Sequence, residues 1–344
     1  MLTRRSALAR SAALAGLSLT GLGGAAGAQP ARVPVRVGYV PVIGAAPLFV
    51  MTGAGWTKEA GLDLVTTKFE SGPPAIQALA SGTLDVLFVG IAPIAVARAR
   101  GLPVKVVAAS GIGGSGFAVQ PNLAAAFAAH GGKAAEAFKA FRAQTGRPAK
   151  IGVLPPGSTP TVALRYWLKQ QGVQLEDVAL ASMGIDVVQQ AMLTGAIDGG
   201  TVLEPSLTLV QTRKPDVKTV AFAPEMYPNL PGVVLSATER FMGEQTDALV
   251  TIVRLAARAR ELILADPAAA APFIQAVLSG GLVDAEVFAR ALRSKAVSFA
   301  IDPRTIVAAT RDSLAFEVEI GDFPTAPPVE GLFDFTIYDK ALAG

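Results

Sequence analysis

Residues 69–93 read FESGPPAIQALASGTLDVLFVGIAP, and the reading of this stretch decides the fold. From left to right it is a strand end, a Ser-Gly-Pro-Pro turn, a helix, a tight glycine turn, a second apolar strand and another Gly/Pro turn. Ile76, Leu79 and Ala80 fall at helical spacing. Ser81-Gly82 stops that helix, because glycine takes the left-handed conformation that a helix end commonly needs. Val86 to Val89 is uniformly apolar and reads as a fully buried strand. The unit returns at residues 184–206, GIDVVQQAMLTGAIDGGTVLEPS. Ala78-Leu79-Ala80-Ser81-Gly82-Thr83-Leu84-Asp85 aligns with Ala191-Met192-Leu193-Thr194-Gly195-Ala196-Ile197-Asp198, and Pro93 is mirrored by Pro205. Two copies of one helix, turn and strand unit imply two similar α/β lobes.

Working outward, strands alternate with helices along the chain. Strands are expected at 34–40, 62–69, 86–89, 104–108, 150–154, 178–182, 200–203 and 217–222. Helices are expected at 48–53, 95–100, 161–171 and 186–193, with two short ones between 124 and 146 broken at Gly131-Gly132. From Thr246 the pattern is helical: 249–265, 270–279, 284–294 and 303–317. Such alternation indicates an α/β fold, with doubly wound, mostly parallel sheets flanked by helices. The run Ser110-Gly111-Ile112-Gly113-Gly114-Ser115-Gly116 reads as too flexible for an element interior, and is taken as the crossing into the second lobe. Residues 223–231 read as a proline-rich return. The expected division is 33–112 with 226–344 for the first lobe and 113–225 for the second.

With 344 residues, half of them apolar and few charged, the chain can bury a substantial core. Its formal charge of +3 is carried by Arg4, Arg5 and Arg10, in a stretch 1–28 that contains no acid. That stretch has a basic start, a weakly apolar run from Ser11 to Leu22, and small residues at Ala26-Gly27-Ala28. It reads as a cleaved export signal, of the twin-arginine or the general secretory type. The remaining chain carries no net formal charge, which argues against a polyanionic partner such as nucleic acid. The absence of cysteine is compatible with an oxidising compartment.

Several expected strands end alike, in a Gly/Pro turn followed by a proline at or near the first helical position. Proline suits that position because its missing N–H would have had no partner there. In open α/β sheets such turns gather at the carboxyl edge, where ligands bind, and helix N-termini there offer free N–H groups and partial positive charge. Ser158 and Thr159, after Gly157, can cap a helix or hold a ligand oxygen. Ser71-Gly72 poses the same choice, and Gly90-Ile91 ends the strand of the opening unit. Glu204 before Pro205 reads either as a partner for a cationic group or as an ordinary N-terminal helix acid. Tyr39 walls the cleft or packs in the core. Asp186 opens the second-copy helix.

Nothing points to catalysis. The one histidine, His130, lies beside Gly131-Gly132 as a surface residue, and there is neither a Cys/His metal set nor a Ser/His pair at a nucleophile turn. No cofactor is implied, since the glycine-rich run lacks the Lys-Ser/Thr of a phosphate loop.

Taken in order, Gly38-Tyr39 with Pro47-Leu48, Gly61-Leu62-Asp63, Ser71 to Pro74, Ala78 to Asp85, Gly90 to Pro93, Gly157 to Thr159 and Glu204-Pro205 resemble the extracytoplasmic solute-binding proteins of ABC importers. The similarity is to the aliphatic sulfonate, taurine and nitrate branch, which also contains binders of thiamine-pyrimidine precursors. The resemblance implies a two-lobed periplasmic binding protein of type II, acting as a monomer, that closes on a small molecule and delivers it to a membrane permease with its ATPase. It implies ligand contacts at the turns of Tyr39, Ser71, Gly90, Ser158 and Glu204. Those turns hold Glu70, Asp186 and Glu204 but no Lys or Arg, so the expected ligand is a small sulfonate carrying an amine, its acid end at Ser158 and Thr159 and its amine near Glu204. Nitrate or a nitrogen heterocycle is the alternative. An enzyme like the fungal thiamine-pyrimidine synthase shares the frame, but depends on cysteines and histidines missing here. A transcription regulator's effector half would need a helix-turn-helix where the export signal stands.

Overall fold

The computed structural model describes residues 32–343; the export signal expected at 1–28 lies outside them. Eleven strands are formed among the described residues: β1 (Val33–Tyr39), β2 (Leu62–Lys68), β3 (Val86–Val89), β4 (Val104–Gly113), β5 (Ser115–Val119), β6 (Ala149–Val153), β7 (Val178–Ser182), β8 (Gly199–Leu203), β9 (Lys218–Phe222), β10 (Pro231–Thr238) and β11 (Val297–Phe299). They make a six-stranded sheet in the order β11-β4-β10-β3-β1-β2 and a five-stranded sheet in the order β7-β6-β8-β5-β9. Helices flank both, so the chain is a two-lobed α/β structure.

The internal repeat has a physical basis. Gly82 and Gly195 end their helices with φ of +75° and +77°, a conformation that costs glycine nothing. The aspartate after each turn then bonds to the neighbouring strand in the same way. The Asp85 amide donates to the Arg36 carbonyl at 2.8 Å, while the Arg36 amide donates to Asp85 Oδ2 at 3.1 Å. In the second lobe the Asp198 amide donates to the Lys150 carbonyl at 2.8 Å, and the Lys150 amide to Asp198 Oδ2 at 2.7 Å. Each carboxylate also receives a guanidinium: Arg36 at 2.9 and 2.6 Å, Arg147 at 2.6 and 2.9 Å. Gly-x-x-Asp, preceded by an apolar residue at Leu79 and Met192, is therefore a clamp that sets the register of a βαβ unit.

Strands β1–β3 pair in parallel, as do β6–β8. One strand in each sheet is inserted against that direction, and the edge strand β11 also runs antiparallel to its neighbour β4. β10 runs antiparallel between β3 and β4, and β5 runs antiparallel between β8 and β9. Two local expectations change as a result. The glycine run 110–116 does cross between the sheets, but as strand rather than loop: β4 continues to Gly113 and β5 resumes at Ser115. Its glycines serve close approach, since a Cβ on Gly111 would stand 2.5 Å from Gly44 Cα. The return at 223–231 holds a short helix, Ala223–Met226, and leads into β10, which the alternation of strands and helices did not anticipate.

The second lobe carries an aromatic core in which Trp167 packs on Phe117 and Phe127, with ring centroids 5.7 and 6.5 Å apart. His130 is half-buried at the end of helix Pro121–Ala129, its Nδ1 2.9 Å from the Ala126 carbonyl oxygen. No single helix among the described residues is long and apolar enough to cross a membrane.

Candidate functional site

Four helices begin where strands of the two sheets end: Gly72–Ala80 after β2, Ile91–Ala99 after β3, Thr159–Gln170 after β6 and Ile185–Thr194 after β7. The residues preceding them, Ser71, Gly90, Ser158 and Gly184, all have extended backbones, and none forms a side-chain cap. The choice left open for Ser71 and Ser158 is thus answered on one side: neither hydroxyl is spent on its own helix. The first N–H groups of a helix have no partner inside it, so these starts present donors outward. Prolines 73, 74 and 160 remove some of those amides, and shift the weight onto hydroxyls and the remaining N–H groups.

These starts surround a cavity of about 60 Å³ between the two sheets. The first lobe contributes Ser71, Gly72 and Gly90, and the second contributes Ser158 and Thr159. Val40, Val42, Val233, Leu154, Ile185 and Leu203 supply apolar walls. Among the described residues, no charged side chain lines the space. Thr159 is 8% exposed and its Oγ1 is buried without a hydrogen-bond partner, an uncommon condition for a hydroxyl. An oxyanion here would be held by neutral donors alone. One water needs roughly 10–15 Å³ measured this way, so the volume suits on the order of five non-hydrogen atoms.

The other expected contacts lie elsewhere. Tyr39 packs edge-on against Phe49, 5.2 Å between centroids, in the core; burial raises its hydroxyl pKa against the opposing pull of Lys68. Its neighbour Val40 reaches the cavity instead. Ile91 is buried in the core. Gly157, with φ +75°, faces a second depression beside the cavity. Asp186 points to solvent, 3.8 Å from Lys68 Nζ.

Glu204 stands behind the wall rather than in it. Its side chain is 1% exposed, and Oε2 accepts from the Thr208 amide at 3.1 Å. Burial raises its pKa, opposed by hydrogen bonds from Ser294 and Thr208 and by the charge of Arg290. A ligand amine therefore finds no carboxylate at Glu204 to pair with. The Glu204 main chain instead ties the lobes together, its carbonyl accepting from the Ile43 amide at 2.9 Å.

Besides the apolar wall residues, sequence reasoning missed Gly113, Gly114, Gly232 and Val233, where the two crossing segments pass the cavity. The glycine pair was a visible signal. Gly232 and Val233 gave none, because they lie on the unanticipated strand. Among the described residues no group of three or more His, Cys, Asp or Glu side chains is placed to hold a metal.

The model of the NMT1-like family matches residues 28–278 of this chain. A protein of Brucella abortus (strain 2308), named provisionally as a binding protein, is 26% identical over 69% of this chain and 69% of its own length. One of Bacillus subtilis (strain 168), named provisionally as an aliphatic sulfonates-binding protein, is 24% identical over 68% of this chain and 67% of its own. The crystal structure of the periplasmic nitrate-binding protein NrtA from Synechocystis PCC 6803 superposes with a TM-score of 0.75 at 15% identity, covering 91% of this chain and 89% of that one. These relatives carry the names of binding proteins, not enzymes.

Proposed function

The chain belongs to the NMT1-like family, and on that premise we propose that it is the extracytoplasmic ligand-binding component of an ABC importer. It takes up a small sulfonate between two lobes, 33–112 with 226–344 and 113–225, and delivers it unchanged to a permease and its ATPase. It acts in the periplasm as a monomer, exported through the segment 1–28. The observation that carries this reading is the cavity between the sheets: hydroxyls from both lobes, an unpartnered Thr159 Oγ1 and, among the described residues, no charged side chain. Neutral donors at helix starts suit a weakly basic oxyanion, whose charge is spread over several acceptors. Ligand binding then favours the closed arrangement by its extra affinity for that arrangement, and the permease reads the closure. The names of the Bacillus and Synechocystis relatives point to the same class of ligand.

The small volume also favours a second reading, nitrate or another four-atom oxyanion. Isothermal titration calorimetry with methanesulfonate, taurine, nitrate and bicarbonate separates the two. Binding of methanesulfonate in preference to nitrate is expected, and failure of all four to bind overturns the oxyanion reading.

A further inference from the structure

Two carboxyl groups and one guanidinium are packed together where the lobes touch outside the cavity. Helix Val307–Glu319 belongs with the six-stranded sheet, since it packs on helix Ile91–Ala99 and its leading turn, Pro303–Ile306, packs on β4. Its far end lies against helix Thr159–Gln170, which follows β6 of the other sheet. Arg165 of that helix donates to Asp322 Oδ1 at 2.7 Å and to the Ile320 carbonyl at 3.0 Å. Lys169 pairs with Glu319, and Tyr166 packs edge-on against Phe316, 5.2 Å between centroids. Glu317 stands within this contact and is 1% exposed. A Cβ on Gly157, in the turn before Ser158, would stand 3.9 Å from Glu317 Oε2. That oxygen and Asp322 Oδ2 are both buried without a hydrogen-bond partner.

The charges balance only if one acid carries a proton. Arg165 is spent on Asp322, so among the described residues Glu317 is the acid left without an ion pair. The other charged groups on the packed elements are engaged elsewhere: Lys169 with Glu319, Arg98 of helix Ile91–Ala99 with Glu239, Arg304 of the leading turn with Asp339, and Arg311 of the same helix with Glu330. Tyr227 faces Glu317 from the return segment and keeps its proton, its hydroxyl pushed up to about 12 by burial and by the charges of Asp312, Tyr166 and Glu317. We propose that Glu317 is a proton-linked latch between the lobes: protonated, it lets the end of helix Val307–Glu319 seat against helix Thr159–Gln170 and hold the closed arrangement, and ionised, it drives the two apart and favours release. This goes beyond the ligand-binding reading and takes from it only that the lobes open and close. Separation removes Gly157 and Arg165 from the carboxyl and admits water, so the closed arrangement binds the proton more tightly than the open one. In the packed arrangement the carboxyl is pushed up to about 8 by burial and by Asp322, against the pull of Arg165, and in water it returns toward its ordinary 4.5. The latch is therefore fully set below about 4.5 and is lost as pH rises through about 8.

The chain contains no cysteine, so Val65→Cys and Val187→Cys, at exposed positions on β2 and on helix Ile185–Thr194, place one spin label in each lobe. Pulsed electron resonance on the labelled, unliganded protein reads the shares of short and long distances at pH 5 and pH 8.5. The ratio of short to long is expected to fall by about tenfold or more between the two. In Glu317→Gln, checked for a native melting transition, the ratio should hold constant; Glu317→Met serves the same purpose if the first variant does not fold. A ratio that does not change with pH in the labelled protein overturns the latch. So does a change of the same size in the folded variant, which would assign it to another buried acid such as Glu204, whose pKa burial also raises. Repeating the measurement with methanesulfonate keeps the latch and the binding proposal apart. Distances that respond to methanesulfonate but not to pH overturn the latch alone, whereas an intact pH response without methanesulfonate binding supports the latch and counts against the sulfonate reading alone.

Discussion

Thr159, at the start of a helix in the second lobe, lies directly against Gly90 at the end of β3 in the first: a Cβ on Gly90 would stand 3.1 Å from Thr159 Oγ1. The lobes therefore meet at a hydroxyl and a glycine, with the cavity beside them.

Enlarging Gly90 should hold the lobes apart. Its φ of −62° is open to any residue, so Gly90→Val is strained by the contact and not by the backbone. Ligand affinity is expected to fall at least about tenfold, since closure loses about 1.4 kcal/mol or more, with little change in melting temperature. Calorimetry and small-angle scattering of the liganded protein check this; unchanged affinity with a compact liganded form would refute it.

Thr159→Val should separate stability from binding. The hydroxyl is buried without a hydrogen-bond partner in the protein, and an unsatisfied buried polar atom costs about 1–3 kcal/mol. The variant is therefore expected to be as stable as the wild type or more so, yet to bind the oxyanion about tenfold more weakly. Urea denaturation and titration on the same preparation report the two effects. A loss of stability without a loss of affinity would show that the hydroxyl does not face the ligand.

Glu317 makes the protein's stability depend on pH. Its side chain is 1% exposed, Oε2 has no partner, and its carboxyl is pushed up to about 8 by burial and by the charge of Asp322, against the opposing pull of Arg165. The group thus binds its proton more tightly in the fold than in the unfolded chain. Its contribution is fully present below its ordinary value of 4.5 and is lost as pH rises to about 8. Glu317→Gln is expected to gain stability over the wild type across that window, by on the order of 2–4 kcal/mol at the alkaline end. Chemical denaturation of both proteins at pH 5 and pH 8.5 measures it; parallel pH profiles would mean that the carboxyl ionises freely.

Asp85 should act in the opposite sense. Burial raises its pKa, but hydrogen bonds from Arg36 and the charges of Arg36 and Arg240 outweigh that and hold it below the usual carboxylate value. Its stabilisation is present above the unfolded value and is lost as pH falls through the folded one. Asp85→Asn is expected to cost about 2–3 kcal/mol, less than a fully buried pair because Arg36 is partly exposed. The deficit should shrink in acid, where the wild-type carboxylate is also neutralised. A deficit independent of pH would assign the loss to packing.

The amino-acid sequence by itself determined the repeated helix, turn and strand unit, because the glycine stop and the aspartate clamp act within a few residues or on the adjacent strand. For the same reason it placed Ser71, Gly72, Gly90, Ser158 and Thr159 at helix starts on one edge of the sheets. Only the tertiary structure decided where β10 goes, since an antiparallel strand inserted from a distant segment carries no periodicity to distinguish it. Tertiary structure likewise turned Glu204 away from the cavity and Tyr39 into the core, because residues in one turn face different ways and packing chooses among them. The depression that Gly157 faces was beyond sequence reading for a third reason: its walls, from Pro93 to Phe323, come from segments more than two hundred residues apart, and meet only when the chain has folded.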